Sequence, residues 1–110
     1  MEIIVNDNNF QKEVIERSKT IPVVVDFWNT WCAPCLMLAP ILQKIAVKYH
    51  DKFVLAKAKT DNNRLHAVKY GIVSIPHIKL FKNGKVVDEF VGMNPEVVVR
   101  RWFEKNLGII

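Results

Sequence analysis

The sequence predicts an α/β domain in which four helices flank a central mixed five-stranded sheet. Strand and helix patterns alternate along the 110 residues in the order βαβαβαββα. An apolar run at residues 21–28, IPVVVDFW, is typical of a central strand that is covered on both faces. Asn83-Gly84 stands between two strand-like runs, which is the strongest short signal for a β-hairpin. No repeat or long linker divides the chain, so we expect one domain over residues 1–110.

The first half of the chain contains two strand and two helix patterns. Residues 3–5 predict a short strand, and the cap-forming residues 6–8 precede a helix that has Phe10 and Val14 on one face. After the apolar run, a second helix is predicted to begin at residue 32 or 33. Its apolar positions at helical spacing are Leu38, Leu42, Ile45, Ala46 and Tyr49.

The second half contains three strand and two helix patterns. Residues 53–59 predict a strand, and residues 61–63 are expected to cap a short helix. Residues 75–81 and 85–91 form the two arms of the hairpin, and Asn94-Pro95-Glu96 predicts an N-cap followed by proline in the first helical turn. The short helix carries Leu65 and Val68, and the last helix is expected to bury Val98, Val99, Trp102 and Phe103.

Composition and charge exclude several classes of function. Half of the residues are hydrophobic and a quarter are charged, as in ordinary globular domains. The net charge of +5 comes from scattered basic residues without interleaved stacking aromatics, so we expect no nucleic-acid partner. The N-terminus lacks a signal-peptide pattern, and no apolar run is long enough to span a bilayer. We therefore expect a cytoplasmic protein with no membrane association, although a processed secreted chain is also compatible with the sequence.

The only two cysteines, Cys32 and Cys35, allow three interpretations. A metal site would need ligands from His50, His66 and His77, which are not paired in sequence, so we expect no metal. Two buried thiols without a chemical role are the second interpretation. A redox pair is favoured, because a helix N-terminus stabilises Cys32 as an exposed attacking thiolate, while Cys35 lies one turn deeper as a shielded resolving thiol.

A carboxylate, Asp26, interrupts the apolar run at residues 21–28. Burying an unpaired carboxylate costs on the order of several kcal/mol, so a purely structural role is strained. We expect Asp26 to lie beneath Cys35, directly or through a water, with a pKa raised by burial away from cations. Lys57, in the apolar strand start FVLAK, is expected to reach the same region. The alternative is that Asp26 is a paired core carboxylate without a chemical role.

Five separated motifs carry a resemblance to a known family. VVVDFW followed by WCAPC, then KAKTDNN, YGIVSIP, LFKNG and Val91-Gly92, occur in one order and span nearly the whole chain. On these motifs the sequence closely resembles the thioredoxin family. The resemblance implies the thioredoxin fold.

The resemblance also implies an activity. Family members reduce protein disulfides by dithiol–disulfide exchange through a mixed disulfide. Carried over to this chain, Cys32 is the nucleophile, Cys35 the resolving thiol, Asp26 the buried acid and base, and Lys57 its neighbour. The family carries no bound cofactor beyond its redox-active disulfide, and a flavoprotein reductase that uses NADPH reduces it. We expect the same kind of reductase and disulfide-containing protein substrates for this chain. We also expect the chain to act as a monomer.

A substrate groove is implied by the same resemblance. The Ile75–Pro76 bond is expected to be cis, so that the main chain of Ile75 can pair with an extended substrate segment. The local sequence alone is equally compatible with a trans proline at the start of a strand. The residues expected to line the groove are Trp31, Pro34, Ile75, Pro76, Gly92 and Met93.

Two departures from the family pattern lie beside the cysteines. Ala33 replaces the usual glycine, and neither it nor Pro34 offers a charge that stabilises the attacking thiolate, which favours a reductant over an oxidant. Leu36 replaces a common lysine, which is expected to raise the pKa of Cys32 somewhat. Leu36 is expected to form an apolar collar that suits extended peptides, or else to be one of many scattered surface hydrophobes. The other members of that collar are Trp31, Ile75 and Met93.

A third departure is His77, which replaces a threonine. It is expected either to face Asp26 and Cys35 and share their proton, or to be a satisfied strand histidine. For the chain as a whole, the alternative to a reductase is a thioredoxin-fold binding module with a vestigial or regulatory cysteine pair.

Overall fold

The computed structural model describes residues 1–109 and is built around a mixed five-stranded sheet. Its strands are β1 (Glu2–Ile4), β2 (Val23–Trp28), β3 (Val54–Lys59), β4 (His77–Lys82) and β5 (Lys85–Val91). They lie in the order β1-β3-β2-β4-β5. β3 is parallel to both β1 and β2, whereas β4 is antiparallel to both β2 and β5. The apolar run at residues 21–28 thus forms the central strand β2, as predicted.

Four helical segments accompany the sheet within the described residues. The first is irregular, because a π-helical stretch at Gln11–Glu16 passes into a 3-10 turn at Arg17–Lys19. The others are α1 (Ala33–Lys48), α2 (Arg64–Lys69) and α3 (Glu96–Leu107), with a 3-10 turn at Thr60–Asn62 before α2. The predicted class, a mixed five-stranded sheet flanked by four helices, is confirmed.

The alternation of side chains along the strands divides the core into two layers. Val24, Leu55 and Ile78 face one side of the sheet and belong to a buried cluster with residues of α1 and α3. Val25 and Phe27 face the other side and cluster with residues of the first helical segment. Burial of each large apolar side chain contributes about 1.5–3 kcal/mol, so both layers stabilise the domain.

The hairpin predicted at Asn83-Gly84 is confirmed. Asn83 has φ of 53° and Gly84 has φ of 79°, so both central residues adopt the left-handed conformation of a tight two-residue turn. Beyond the turn, the register between β4 and β5 shifts by one residue, which leaves Val87 as the extra residue of a β-bulge.

The cap of α2 differs from the prediction. Asn63 occupies the N-cap position, but its side-chain amide donates to two main-chain oxygens elsewhere and does not cap the helix. Asp7 caps the helix instead: its carboxylate accepts from the main-chain N–H of Leu65 at 3.1 Å and of His66 at 3.2 Å. A residue almost sixty positions away therefore satisfies the helix start.

Several boundaries also differ. β1 begins one residue earlier than the predicted 3–5, and β4 begins at His77 rather than at residue 75. α3 begins at Glu96 with Pro95 in the N-cap position, one residue later than predicted for the cap. Val98, predicted to be buried, is 46% exposed. The buried residues of α3 are four positions apart, at Val99 and Phe103, and Val98 does not lie on that stripe.

Candidate active site

Cys32 and Cys35 lie where β2 leads into α1, and a disulfide joins them. Cys32 is the N-cap residue of α1 and Cys35 lies in its first turn, as predicted. Asn29 fastens the loop that leads to them: its amide nitrogen donates to the Thr60 hydroxyl at 2.7 Å, and its side-chain oxygen accepts from the N–H of Thr30 at 2.8 Å. No role was predicted for Asn29, although a polar amide directly after a buried strand can indicate a side chain that holds the following loop by hydrogen bonds.

The two cysteines differ less in exposure than predicted. Cys32 is 5% exposed and Cys35 is 2% exposed, so the order is as expected, but Cys32 is not an exposed residue in the disulfide form. The main-chain N–H of Cys35 donates to Sγ of Cys32 at 3.2 Å, and the carbonyl oxygen of Ile75 lies 3.7 Å from the same sulfur. Since N–H groups at a helix N-terminus stabilise negative charge, this position favours a thiolate on Cys32 after reduction.

Asp26 and Lys57 form an ion pair inside the sheet. They are register partners across β2 and β3, and Nζ of Lys57 donates to Oδ2 of Asp26 at 2.7 Å. Asp26 is 1% exposed, and its Oδ1 has no hydrogen-bond partner among residues 1–109. Burial raises the pKa of Asp26, and this effect outweighs the lowering of the pKa by the charge and hydrogen bond of Lys57. The raised pKa agrees with the prediction, whereas the expected isolation from cations is wrong.

Asp26 lies on the side of the sheet that α1 covers. Val24, two residues earlier in β2, clusters with Leu38 and Leu42 of α1, and alternate residues of a strand face the same side. Cys35 precedes Leu38 by three residues and Leu42 by seven, which places it on the same stripe of the helix. Asp26 and Cys35 therefore belong to the same layer between β2 and α1. A contact between them, direct or through water, stays a prediction.

Two connected loops lie beside the disulfide. The Ile75–Pro76 peptide bond in the first loop is cis, as the resemblance implied. The carbonyl oxygen of Pro76 accepts a hydrogen bond from the N–H of Gly92 in the second loop at 2.7 Å. Gly92 has φ of 86°, and a Cβ at this position would meet no atom within 4 Å. Glycine is thus required at position 92 by the backbone conformation and not by close packing.

Apolar side chains that neighbour the two cysteines or Gly92 in sequence are exposed on the surface. Trp31 is 73% exposed, Leu36 51% and Met93 36%, and Pro34 is exposed as well. A cleft of about 500 Å³ opens beside Trp31 and Ile75 and is lined further by residues from the segment 60–73. Sequence reasoning did not include this segment in the site. The sequence feature that could have indicated this segment is the short helix α2, which cannot bury all of its apolar side chains and leaves Val68 exposed beside the cleft.

His77 does not lie near Asp26. It is the register partner of Phe27, so its side chain lies on the opposite face of the sheet from Asp26, and the interpretation in which it shares the Asp26 proton is wrong. Its Nε2 donates to Oε1 of Glu89 at 2.6 Å, and the same oxygen accepts from Nζ of Lys79 at 2.7 Å. The hydrogen bonds from Lys79 and His77 lower the pKa of Glu89 below its ordinary value. Neither Lys79 nor Glu89 was a predicted site residue.

The fold and the site together define a class of protein. The cysteine pair closes a disulfide at a helix N-terminus, beside a cis proline and in the same core layer as the buried carboxyl group of Asp26. This is the arrangement of a thiol–disulfide oxidoreductase.

Comparison with known proteins identifies the family. The thioredoxin family model matches residues 2–105. The chain is 45% identical to thioredoxin 1 of Synechococcus elongatus over 94% of both chains. It is 44% identical to a thioredoxin of Griffithsia pacifica over 92% of this chain and 91% of that one, and 41% identical to a thioredoxin of Chlorobaculum thiosulfatiphilum over 93% of both. The chain belongs to the thioredoxin family.

Family membership and the cysteine pair establish the activity. The protein is a thiol–disulfide oxidoreductase that reduces protein disulfides, and no observation favours a binding module with a vestigial pair. The family implies disulfide-containing substrates and a thioredoxin reductase as partners. In residues 1–109, no group of three or more His, Cys, Asp or Glu side chains is arranged to hold a metal ion. The helices in this part of the chain lack the length and apolar character needed to cross a bilayer.

Proposed function

We propose that Cys32 is the nucleophile and Cys35 the resolving thiol in protein-disulfide reduction. The Cys32 thiolate attacks one sulfur of the substrate disulfide, forms a mixed disulfide and displaces the other substrate sulfur as a thiolate, which takes up a proton. The Cys35 thiolate then attacks the Cys32 sulfur, which releases the second substrate thiol and closes the Cys32–Cys35 disulfide. The substrate gains two electrons and two protons, which the enzyme loses. The supporting observation is the N–H of Cys35, 3.2 Å from the Cys32 sulfur at the helix N-terminus.

Asp26 is the proton acceptor for Cys35 in this scheme. The Cys35 thiol must lose a proton before it attacks, and a carboxyl group whose pKa is raised by burial can accept and return a proton nearer neutral pH. Lys57 holds Oδ2 of that carboxyl at 2.7 Å and leaves Oδ1 without a protein partner among the described residues. We assign to Lys57 the orientation of the carboxyl group, and to Asp26 the proton transfer.

The groove beside the disulfide binds an extended segment of the substrate. Ile75 offers its main chain to the segment, and the proximity of its carbonyl oxygen to the Cys32 sulfur, 3.7 Å, supports this role. The exposed apolar surface of the groove suits the apolar side chains that flank a cysteine in an unfolded or extended chain. The other groove residues are Trp31, Pro34, Pro76, Gly92 and Met93, with Leu36 at the rim.

The partners and setting follow from the family. We propose that an NADPH-linked flavoprotein thioredoxin reductase restores the dithiol and that this chain, as a single thioredoxin domain, carries no bound cofactor. We further propose that it acts as a monomer in the cytoplasm. The CAPC sequence has no charged residue between its cysteines, which supports a reducing role. Its potential, measured against glutathione, should be close to the thioredoxin value of about −270 mV, and a value near −120 mV would indicate an oxidant instead.

Trapping of the mixed disulfide tests the roles of the two cysteines. Cys35→Ser leaves Cys32 able to attack but removes the resolving thiol, so incubation of the variant with a disulfide-containing peptide should give one covalent adduct per protein. Mass spectrometry detects the adduct, and dithiothreitol should reverse it. Cys32→Ser should give no adduct under the same conditions. An adduct on the Cys32→Ser variant, or none on Cys35→Ser, would assign the nucleophile differently.

A further inference from the structure

The two loops beside the disulfide are held together by the ends of β4 and β5. Pro76 immediately precedes β4, and Gly92 immediately follows β5. The hydrogen bond from the N–H of Gly92 to the carbonyl oxygen of Pro76 links the two loops directly. β5 lies at the edge of the sheet and has β4 as its strand neighbour. The position of Gly92 and Met93 relative to Pro76 therefore depends on how β4 and β5 pair.

A polar cluster of the buried His77 and Lys79 with the half-exposed Glu89 joins the two strands next to this link. One oxygen of Glu89 accepts from His77 at 2.6 Å and from Lys79 at 2.7 Å. His77 is 7% exposed and Lys79 is 6% exposed, whereas nearly half of the Glu89 side chain is exposed. His77 directly follows Pro76, and Glu89 lies three residues before Gly92, so the cluster sits between the two loops and the rest of the hairpin.

Apolar side chains could be buried at this place with a smaller desolvation penalty than the polar side chains of the cluster. On the neighbouring strand β2, the register partners of His77 and Lys79 are Phe27 and Val25, which are both fully buried. An ammonium group in such surroundings is strongly unfavourable unless it is paired in good geometry. Two short hydrogen bonds to one oxygen are directional, so they favour a single alignment of the strands, which non-directional apolar contacts specify less sharply.

We propose that His77 is a positioning residue for the substrate groove. Through Glu89 it holds the end of β5, and it thereby fixes Gly92 and Met93 relative to the loop at Pro76. A substrate segment then meets two aligned walls and binds without the entropic cost of ordering them. This inference rests on the groove proposed above. It assigns to His77 an effect on substrate binding and none on proton transfer, since the imidazole lies on the opposite face of the sheet from Asp26.

Steady-state kinetics separates these effects. The substrate is a peptide with an internal disulfide and apolar flanking residues, and dithiothreitol regenerates the enzyme. In His77→Thr we expect KM to rise roughly five- to tenfold, as the net loss of one ordinary intramolecular hydrogen bond predicts when solvent screens the half-exposed Glu89. The value of kcat, its pH profile and the redox potential should stay at their wild-type values. His77→Gln, whose amide can donate to Glu89, should bring KM back to within about twofold of the wild type.

Tyr49→Phe is the matched control, because it also removes one donor to a carboxylate. The Tyr49 hydroxyl donates to Glu104 at 3.1 Å, at the end of α1 opposite to Cys32 and about 24 Å along the helix axis. Its KM should be unchanged. Trp31→Ala tests the groove itself: an unchanged KM in that variant refutes the groove.

The remaining outcomes decide the role of His77. If Trp31→Ala raises KM and a folded His77→Thr does not, the groove stands and the role of His77 is refuted. A lower kcat or a shifted pH profile in His77→Thr also overturns the inference, because His77 would then act on the chemistry. If His77→Thr does not fold, Glu89→Gln takes its place: this variant keeps an acceptor oxygen and loses the charge. It should raise KM about threefold, and an unchanged KM refutes the inference.

Discussion

Replacement of Asp26 by asparagine tests the coupling between the buried carboxyl group and the disulfide chemistry. An asparagine has the same size and can still accept a hydrogen bond from Lys57, so the variant should fold. Burial raises the pKa of Asp26 above its ordinary value of 3.8, so the folded protein retains a proton that the unfolded chain releases. The free energy of unfolding of the wild type therefore falls as the pH rises from 3.8 through the raised pKa, and stays at the lower level above it.

The magnitude follows from the same linkage. Each tenfold difference between the acid dissociation constants of the folded and unfolded states is worth about 1.4 kcal/mol. Asp26→Asn does not titrate at this position, so at pH 7 it should be more stable than the wild type by about 1.4 kcal/mol for each unit by which burial raises the pKa of Asp26, and the gain should vanish below pH 3.8. Urea unfolding between pH 3 and pH 8 measures this difference. Peptide-disulfide reduction near neutral pH should slow by up to about a hundredfold, the low end of general acid–base contributions.

Asp88→Asn is the matched control, since its pKa shift has the opposite sign. Burial raises the pKa of Asp88, but hydrogen bonds from Asn106 and the N–H of Glu89, together with Lys105, lower it below 3.8 overall. The wild type should therefore lose the contribution of Asp88 as the pH falls, and Asp88→Asn should not gain stability at pH 7. If Asp26→Asn has the wild-type dependence of stability on pH, the raised pKa is refuted. If it reduces disulfides at the wild-type rate at every pH, the proton-transfer role is refuted.

Three further substitutions test the site, a cap and the core. Leu36→Lys places a cation in the same helical turn as the disulfide, so the pKa of the Cys32 thiol should fall. The pH dependence of alkylation of the reduced protein measures this pKa, and a pKa equal to that of the wild type contradicts the prediction. Asp7→Ala removes the cap of α2, which should cost about 1 kcal/mol and speed amide exchange in α2 more than in α1. Phe103→Ala should cost about 3–5 kcal/mol in urea unfolding, whereas the half-exposed Val98→Ala should cost less than about 1 kcal/mol.

Short-range patterns were sufficient to predict most of the fold. The run at residues 21–28, the helix that begins after Cys32 and the hairpin at Asn83-Gly84 were all recognised, because each depends on residues close together in sequence. The first helical segment was recognised as a helix, but its π-helical and 3-10 geometry was not. No local sequence pattern specified that geometry, and the segment packs Phe10 and Val14 in the same buried layer as Val25 and Phe27.

The candidate site likewise contains some features that the sequence shows and others that only the folded structure shows. The spacing of Cys32 and Cys35 and the anomaly of Asp26 in an apolar strand are visible without a structure. The cluster around His77 is not. A hairpin that continued its two-residue turn without interruption would place Lys79 opposite Asp88, and only the bulge shifts the register so that Lys79 meets Glu89.

Residues close together in the chain are enough to predict which elements form and which residues carry the chemistry, because helical periodicity, strand alternation, turn residues and the CAPC spacing are all local properties. Which distant groups meet follows only from the folded chain: Asp7 caps α2, Lys57 pairs with Asp26, and His77 lies on the face of the sheet opposite Asp26 and contacts Glu89. These contacts depend on the order and register of the strands. Since a shift of one residue in register moves a side chain to the other face of the sheet, they are settled only when the whole sheet has packed.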